Sequence, residues 1–474
     1  MRDTSTKIPV LEIEHTQDSY RLNKLEIFFT RHRNKIQWMH LLTFIIFMVV
    51  LFVPLYMGES PENALPWNDF PVFSNFLMWG LWFPLVFLSV IVTGRSWCGL
   101  FCPMGAASEQ INKIGLSLKT PKWIRWEGMP VVAFLLITIL GQTVGVRDHR
   151  EAMAELFGGL MLIAIVVGFL YGKKNRVWCR HMCPIGFLLG LYSRLSIVNF
   201  HPNKPKKGSD KYREKGVCPT MVDVKRKKES RHCIECFKCV NPEAEKSMAV
   251  SFRPAGQEVE NIAHYNPNRV EVWFFFLGTG SALGGFLWLI LPVYQTFRQK
   301  IGEWAISQEW YWIGESGPGW LMSVHPERRE VFNWLDFSTI VIFMLTVTVI
   351  FTFVMASINQ LQTVIVKRIK DFPKDLSIFN ILAYQYMPVA MTALLIGLGG
   401  KIFELLEVFG LSRSVTIALK AGLFLMAIIW SIKIGYKIVR NLNITSRQAI
   451  LPVSVGAVGS IAVGLSWWPA IFGL

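Results

Sequence analysis

Cys233-Ile-Glu-Cys236-Phe-Lys-Cys239 sets three thiols at C-x2-C-x2-C spacing, so that one tight loop can turn all three toward a single inorganic cluster. Thiolates are the ligands that iron–sulfur clusters use, and the bacterial run continues x3-C-P. Here the position four after Cys239 is Glu243, so the run lacks its fourth thiol. Upstream, Cys218-Pro219 is a C-P element without a triplet of its own; the expected places hold Gly208, Lys211 and Glu214. In two-cluster ferredoxins the C-P cysteine of one run ligates the other cluster. Cys218, Cys233, Cys236 and Cys239 are therefore expected to enclose one [4Fe-4S] cluster. The competing chemistry is a zinc knuckle from the same four residues, although zinc sites usually pair one C-x2-C with another.

The other four of the eight cysteines form a repeat. Arg95-Ser-Trp97-Cys98-Gly-Leu-Phe-Cys102-Pro103-Met-Gly105 and Arg176-Val-Trp178-Cys179-Arg-His-Met-Cys183-Pro184-Ile-Gly186 both read R-x-W-C-x3-C-P-x-G. A spacing of four puts each pair on one face of a helical turn, and the proline then starts a new helix or breaks the old one. If the two copies pack symmetrically, Cys98, Cys102, Cys179 and Cys183 converge. Three readings compete: a second metal or iron–sulfur centre, a redox-active thiol/disulfide set, and plain buried cysteine. The identical flanks weigh against simple packing. The presence of four ligands tilts toward a metal centre without excluding the thiol set.

The elements that must hold these residues are membrane spans. The chain of 474 residues is 52% hydrophobic and 13% aromatic, and uncharged runs of about 20 residues, enough to cross a ~30 Å hydrocarbon core, recur along it. Nine spans are expected, near 36–57, 73–94, 129–146, 151–171, 271–295, 335–357, 380–402, 415–437 and 449–470. The polar, basic residues 1–35 make the first apolar run a span and not a cleavable signal. The fold class is thus an all-α polytopic membrane protein with a small cytoplasmic ferredoxin-like insertion. Its expected parts are a segment 1–35, a four-helix membrane domain 36–200, a ferredoxin-like 4Fe-4S module 201–270 and a five-helix membrane domain 271–474.

Lys and Arg concentrate in alternate connections: the N-terminal segment, 95–128, 172–270, 358–379 and 438–448. The positive-inside rule places these in the cytoplasm and the C-terminus outside. All eight cysteines then fall in or against a reducing compartment, where structural disulfides are the poorer reading. The net charge of +16 is accounted for by this bias and by anionic lipid; Lys225-Arg226-Lys227-Lys228 is a candidate dock for an acidic donor, and nothing points to nucleic acid.

Other cofactors find little support. There is no C-x-x-C-H, and of nine His only His40 lies inside a span, whereas a haem clamped between helices normally takes two axial ligands. His181 reads as a surface residue. The glycines at Gly278, Gly280, Gly284 and Gly285 suit close helix packing, not a dinucleotide site, and no P-loop is present. Asp336, Glu404, Glu407 and Lys420 sit near span ends, where snorkelling or structural ion pairs explain them. Trp304, Trp310, Trp312 and Trp320 read as an interfacial belt.

The doubled Cys-Pro motif with the cysteine triplet resembles a family of membrane 4Fe-4S ferredoxins that includes NapH-type proteins of nitrate reduction, the membrane half of NosR, and FtrD of ferrous iron uptake. The resemblance covers about residues 36–250. It implies electron transfer at the bacterial inner membrane between a quinol or cytosolic donor and a membrane or periplasmic redox partner, as a component of an oxidoreductase system and not a stand-alone enzyme. Two departures stand out: ligands for one ferredoxin cluster where many relatives have two, and five helices after residue 270 where NapH-type chains stop. The extension favours a larger system such as iron uptake. The rival is a metal-handling or assembly factor, or a redox-gated transporter component, in which the Cys pairs bind or reduce a metal.

Overall fold

The computed structural model describes residues 19–33, 35–61, 63–172, 175–202, 217–241, 247–326 and 330–472; Gly208, Lys211, Glu214 and Glu243 lie outside them. The described chain opens with α1 (Ser19–His32). Among the described residues, eight helices are long and apolar enough to cross a membrane. Of these, α2 (Ile36–Tyr56) and α3 (Phe70–Thr93) lead to a short α4 (Pro103–Asn112). Next come α5 (Met129–Thr143), α6 (Arg150–Leu170) and a short α7 (Pro184–Tyr192). The back half contains α8 (Arg269–Ile290), α9 (Pro292–Ser307), α10 (Trp334–Ile369), α11 (Ile378–Leu398), α12 (Arg413–Asn441) and α13 (Ser446–Ser466).

The expected third span is the one that differs. Its helix α5 has 15 residues, about 22 Å of rise, because Gly145 adopts φ +64° and turns the chain early. The turn to α6 is a tight hairpin through Val146-Arg147-Asp148-His149-Arg150. The chain after α8 continues as a helix, α9, which carries Trp304.

Glycine sets the packing of the back half. A Cβ on Gly280 would lie 3.1 Å from the Thr348 backbone, and one on Gly284 would lie 3.0 Å from the Met344 carbonyl oxygen, so α8 and α10 meet backbone to backbone, as small residues permit. Charges near span ends are paired or capped. Asp336 forms a capping box with Asn333 and receives Arg298 Nε at 2.5 Å. Lys401 lies 3.4 Å from Glu404, Thr416 donates to Glu407 at 2.6 Å, and Lys420 sits 5.0 Å from the Phe403 ring centre.

Between the halves lies a small module. Strands β1 (Val198–Pro202) and β2 (Met248–Phe252) pair antiparallel, with Phe200 opposite Val250. Helix α1 covers the module: Phe29 stacks on Phe237 at 3.9 Å and Thr30 donates to the Val240 carbonyl. An ion cluster ties module to bundle. Fully buried Arg194 contacts Glu258 at 2.9 Å and Glu271 on α8 at 3.1 Å, while Arg253 reaches Glu258 at 2.8 Å. Removing one partner would strand a buried charge, a loss of about 3–5 kcal/mol.

Helix contact through glycine is directly testable. Gly284→Leu should destabilise the protein by about 1–3 kcal/mol through overpacking and lower its thermal midpoint in detergent. Gly422→Leu, where nothing lies within 4 Å of the Cβ position, should leave it near wild type.

Candidate iron–sulfur centre

The two Cys-Pro repeats fold alike. In each copy the second cysteine closes a wide turn onto the tryptophan five residues before it: Cys102 N donates to Trp97 O and Cys183 N to Trp178 O, both at 2.9 Å. Proline then fixes the first position of a new helix, α4 or α7, where its missing N–H is no loss. The cysteines themselves cap these helices. Cys102 (φ −66°, ψ 115°) accepts from Gly105 N at 3.4 Å, and Cys183 (φ −64°, ψ 114°) accepts from Gly186 N at 3.2 Å. The residue types therefore dictate the same backbone twice, and each thiol sits at the positive end of a helix dipole.

The copies clasp each other through their first residues. Arg176 reaches across to the first copy, donating to Cys98 O at 2.8 Å and lying 3.0 Å from where a Gly105 Cβ would be. Arg95 reaches the other way and lies 3.1 Å from the corresponding point on Gly186. Any side chain at either glycine would displace an arginine. All four cysteines of the repeat come together: burial, then the charges of Cys98 and Cys179, push the Cys102 thiol up to about 12. Burial and the same neighbours, with Cys102, push Cys183 well above the usual thiol range.

The second set is likewise assembled. Glu235 (φ 52°) and Phe237 (φ 58°) occupy the left-handed region between the triplet cysteines. Bulky residues rarely do so, and such strain clusters at functional sites. Cys218 faces the triplet: its sulfur lies 3.4 Å from Thr220 Oγ1, which donates to His232 O at 2.9 Å. Burial pushes the Cys233 thiol up to about 12, against the pull of nearby Lys227, and raises Cys236 and Cys239; for all three Cys218 adds to the rise. Raised thiols of this kind are inert as nucleophiles, which weighs against a thiol/disulfide switch. They become strong ligands once a cation displaces the proton.

The two sets touch. The Cβ position of Gly99, next to Cys98, lies 2.1 Å from Ile234 O and 2.9 Å from Cys236 N, so one layer of backbone separates them. Around them lie buried cations. Arg176 pairs with Glu109 at 2.6 Å, and Lys238 also reaches Glu109. Burial would raise the Glu109 carboxyl, but Arg176 and Lys238 overcome it and hold it at about 2. Among the described residues, Arg95 Nε and Nη2, Arg176 Nη2 and Arg180 Nη1 are buried donors with no hydrogen-bond partner. Burial together with Arg231 and Arg95 lowers Arg180 to about 10. Unsatisfied cationic donors around eight sulfurs suit an anionic thiolate cluster.

A single zinc ion suits them less. Its ligands would stand about 3.8 Å apart with Zn–S near 2.3 Å, yet among the described residues no three of these sulfurs lie within 4.8 Å of one another. Sequence had supplied the cysteines but no role for Arg95 and Arg176; their identical place in both repeats was the signal. Glu109 and Lys238 carried none. His181 is half-buried, with its imidazole lowered to about 4 by burial and Arg180, so it is not an open surface residue. His40 is buried, with Nε2 3.0 Å from Gly99 O.

The family description for a 4Fe-4S binding domain matches residues 75–122 and 155–205, the two segments that carry the Cys-Pro repeats. Among curated proteins the chain is 27% identical over 158 residues to an uncharacterized protein of Methanocaldococcus jannaschii, covering 32% of this chain and 61% of that one. It is 27% identical over 126 residues to the methylamine utilization ferredoxin-type protein MauN of Methylorubrum extorquens (24% and 44% covered). It is 23% identical over 198 residues to the ferredoxin-type protein NapH of Haemophilus influenzae (36% and 66%). The chain thus spans less than two thirds of each of these three relatives. No solved structure matches it. The doubled motif, the helices around it and these likenesses agree: the chain is a multi-pass membrane protein with a 4Fe-4S binding domain, distantly homologous to the membrane ferredoxin-type proteins.

Proposed function

We propose that the chain is the electron-transfer component of a membrane oxidoreductase system, holding two [4Fe-4S] clusters side by side at the cytoplasmic face. The observation that carries this reading is the contact of two four-cysteine sets across Gly99, within a shell of buried, unsatisfied arginine donors. Cys218, Cys233, Cys236 and Cys239 hold one cluster. Cys98, Cys102, Cys179 and Cys183 hold the other, a choice supported by the match of the 4Fe-4S domain to those segments. When bound, such clusters supply one-electron transfer, with potentials set by net charge, hydrogen bonds to sulfur and exposure.

The chain's own residues do the rest. Arg95, Arg176 and Arg180 stabilise added negative charge and so hold the potentials up. Gly105 N and Gly186 N donate to sulfur. Trp97 and Trp178 wall the repeat set from water; Trp178 is buried and Trp97 packs edge-on against Trp82 at 5.1 Å.

The cytoplasmic placement rests on the Lys and Arg of the connections on the cysteine side. From there a periplasmic acceptor lies a full bilayer away, ~30 Å, so delivery passes through a lipid-soluble carrier or a partner subunit. Quinol is the donor class we favour. A groove lined by Gln37, His40, Leu41, Phe44, Ala107 and Gln110 runs along α4, the helix capped by Cys102, with Trp38 and Leu41 exposed beside it. His40 Nε2 lies 3.0 Å from Gly99 O beside this groove.

Cluster number is decided by iron. Wild type should hold about eight iron atoms per chain. Cys236→Ser and Cys179→Ser should each lose about half of the iron and of the visible absorbance, measured on anaerobically purified protein. Full iron in Cys179→Ser would refute the second cluster, and full iron in Cys236→Ser the first. Arg95→Gln should lower a cluster midpoint potential by on the order of 60 mV, the equivalent of a tenfold change in a one-electron equilibrium; redox titration followed by EPR reads it.

A further inference from the structure

At the end of α6 away from Cys179, about 30 Å along a 21-residue helix, two chain segments bring imidazoles and carboxylates together. His149 ends the α5–α6 turn and is buried. Ser323 N donates to Thr143 O at 2.8 Å and Thr143 Oγ1 to Leu321 O at 2.8 Å, which pins the back-half loop onto this turn. That loop carries a short hairpin, β3 (Val324–His325) and β4 (Glu330–Val331), with His325 opposite Glu330.

The His325 ring stacks on His149 with centres 3.8 Å apart and planes 14° from parallel. Glu330 Oε2 lies 3.1 Å from His149 Nε2. Glu151, in the first turn of α6, completes the group: ligand atoms of His149, Glu151 and His325 all lie within 4.8 Å of one another. Arg150 Nε touches Glu151 Oε1 at 2.9 Å.

An ion pair accounts for His149 with Glu330 alone. Beside that pair, Glu151 from the start of the same helix and His325 from the facing strand bring their ligand atoms to the same point. Stacked rings hold their nitrogen lone pairs in near-parallel planes, so a shared ion requires one imidazole to turn about its Cβ–Cγ bond. A carboxylate against one ring nitrogen is the arrangement that orients a metal-binding histidine, and two imidazoles with a carboxylate suit first-row transition ions.

We propose that His149, His325 and Glu151 bind a divalent first-row transition-metal ion on the face opposite the cysteines, with Glu330 orienting the His149 ring. The site stands independently of the cluster assignment.

Zinc is the probe. Full-length protein with its clusters, stripped of loosely held metal by a chelator and dialysed against Zn2+, should retain about one zinc per chain beside its iron. X-ray absorption at the zinc edge should show nitrogen and oxygen neighbours and no sulfur. His149→Gln and His325→Gln should each abolish retention with iron content unchanged, which also shows that the variants fold. Glu330→Gln should weaken binding by about 10–100-fold. No retained zinc in wild type, sulfur in the zinc shell, or full retention in both histidine variants would overturn the site; none of these results touches the iron count on which the cluster reading depends.

Discussion

Arg176 is the charge on which the cysteine region depends. Its side chain is fully buried, and it binds Glu109 through Nε and Cys98 O through Nη1 while its backbone N donates to Pro219 O at 2.6 Å. One residue thus joins the first repeat, the second repeat and the turn that delivers Cys218. Burying a guanidinium is costly unless every direction is answered. Glu109 answers one, a carbonyl another, and Nη2 is buried without a hydrogen-bond partner. An anionic occupant there would complete the charge balance that the protein leaves open.

That constraint explains why glycine recurs at the site. Gly99, Gly105 and Gly186 sit where a Cβ would strike backbone of the triplet loop or an arginine. Gly190 does the same, its Cβ position being 2.5 Å from Arg231 O. The helices around the site are held with equal care: Asn112 Nδ2 donates to Gly168 O at 2.7 Å, locking α4 to the end of α6. Position follows from close contact, and close contact follows from absent side chains.

Much of this was legible in the residues. The span pattern follows from apolar run length, and the shared R-x-W-C-x3-C-P-x-G string yields two turns with the same dihedral angles because local chemistry governs them. Complementary gaps in two motifs give the expectation that Cys218 joins the triplet, and its charge acts on all three of those thiols. Long-range charge was not. Arg194 meets Glu258 and Glu271 across 64 and 77 residues, and no periodicity announces such partners. Helix α1 read only as part of a polar, basic N-terminal segment, since its contacts, Phe29 on Phe237 and Thr30 with Val240, join distant segments. His149 and His325 were invisible as a pair for the same reason. The short α5 escaped because hydropathy runs on past Gly145 while the backbone does not.

The crossed arginines have an evolutionary implication. Each unit contributes the clamp for its counterpart, so a lone unit would hold a guanidinium with nothing to grip and a glycine notch with nothing to fill it. Self-complementary surfaces of this kind belong to twofold dimers. The front half carries the logic of such a dimer on one polypeptide, and its ancestor, had it been a single unit, would have worked only as two chains.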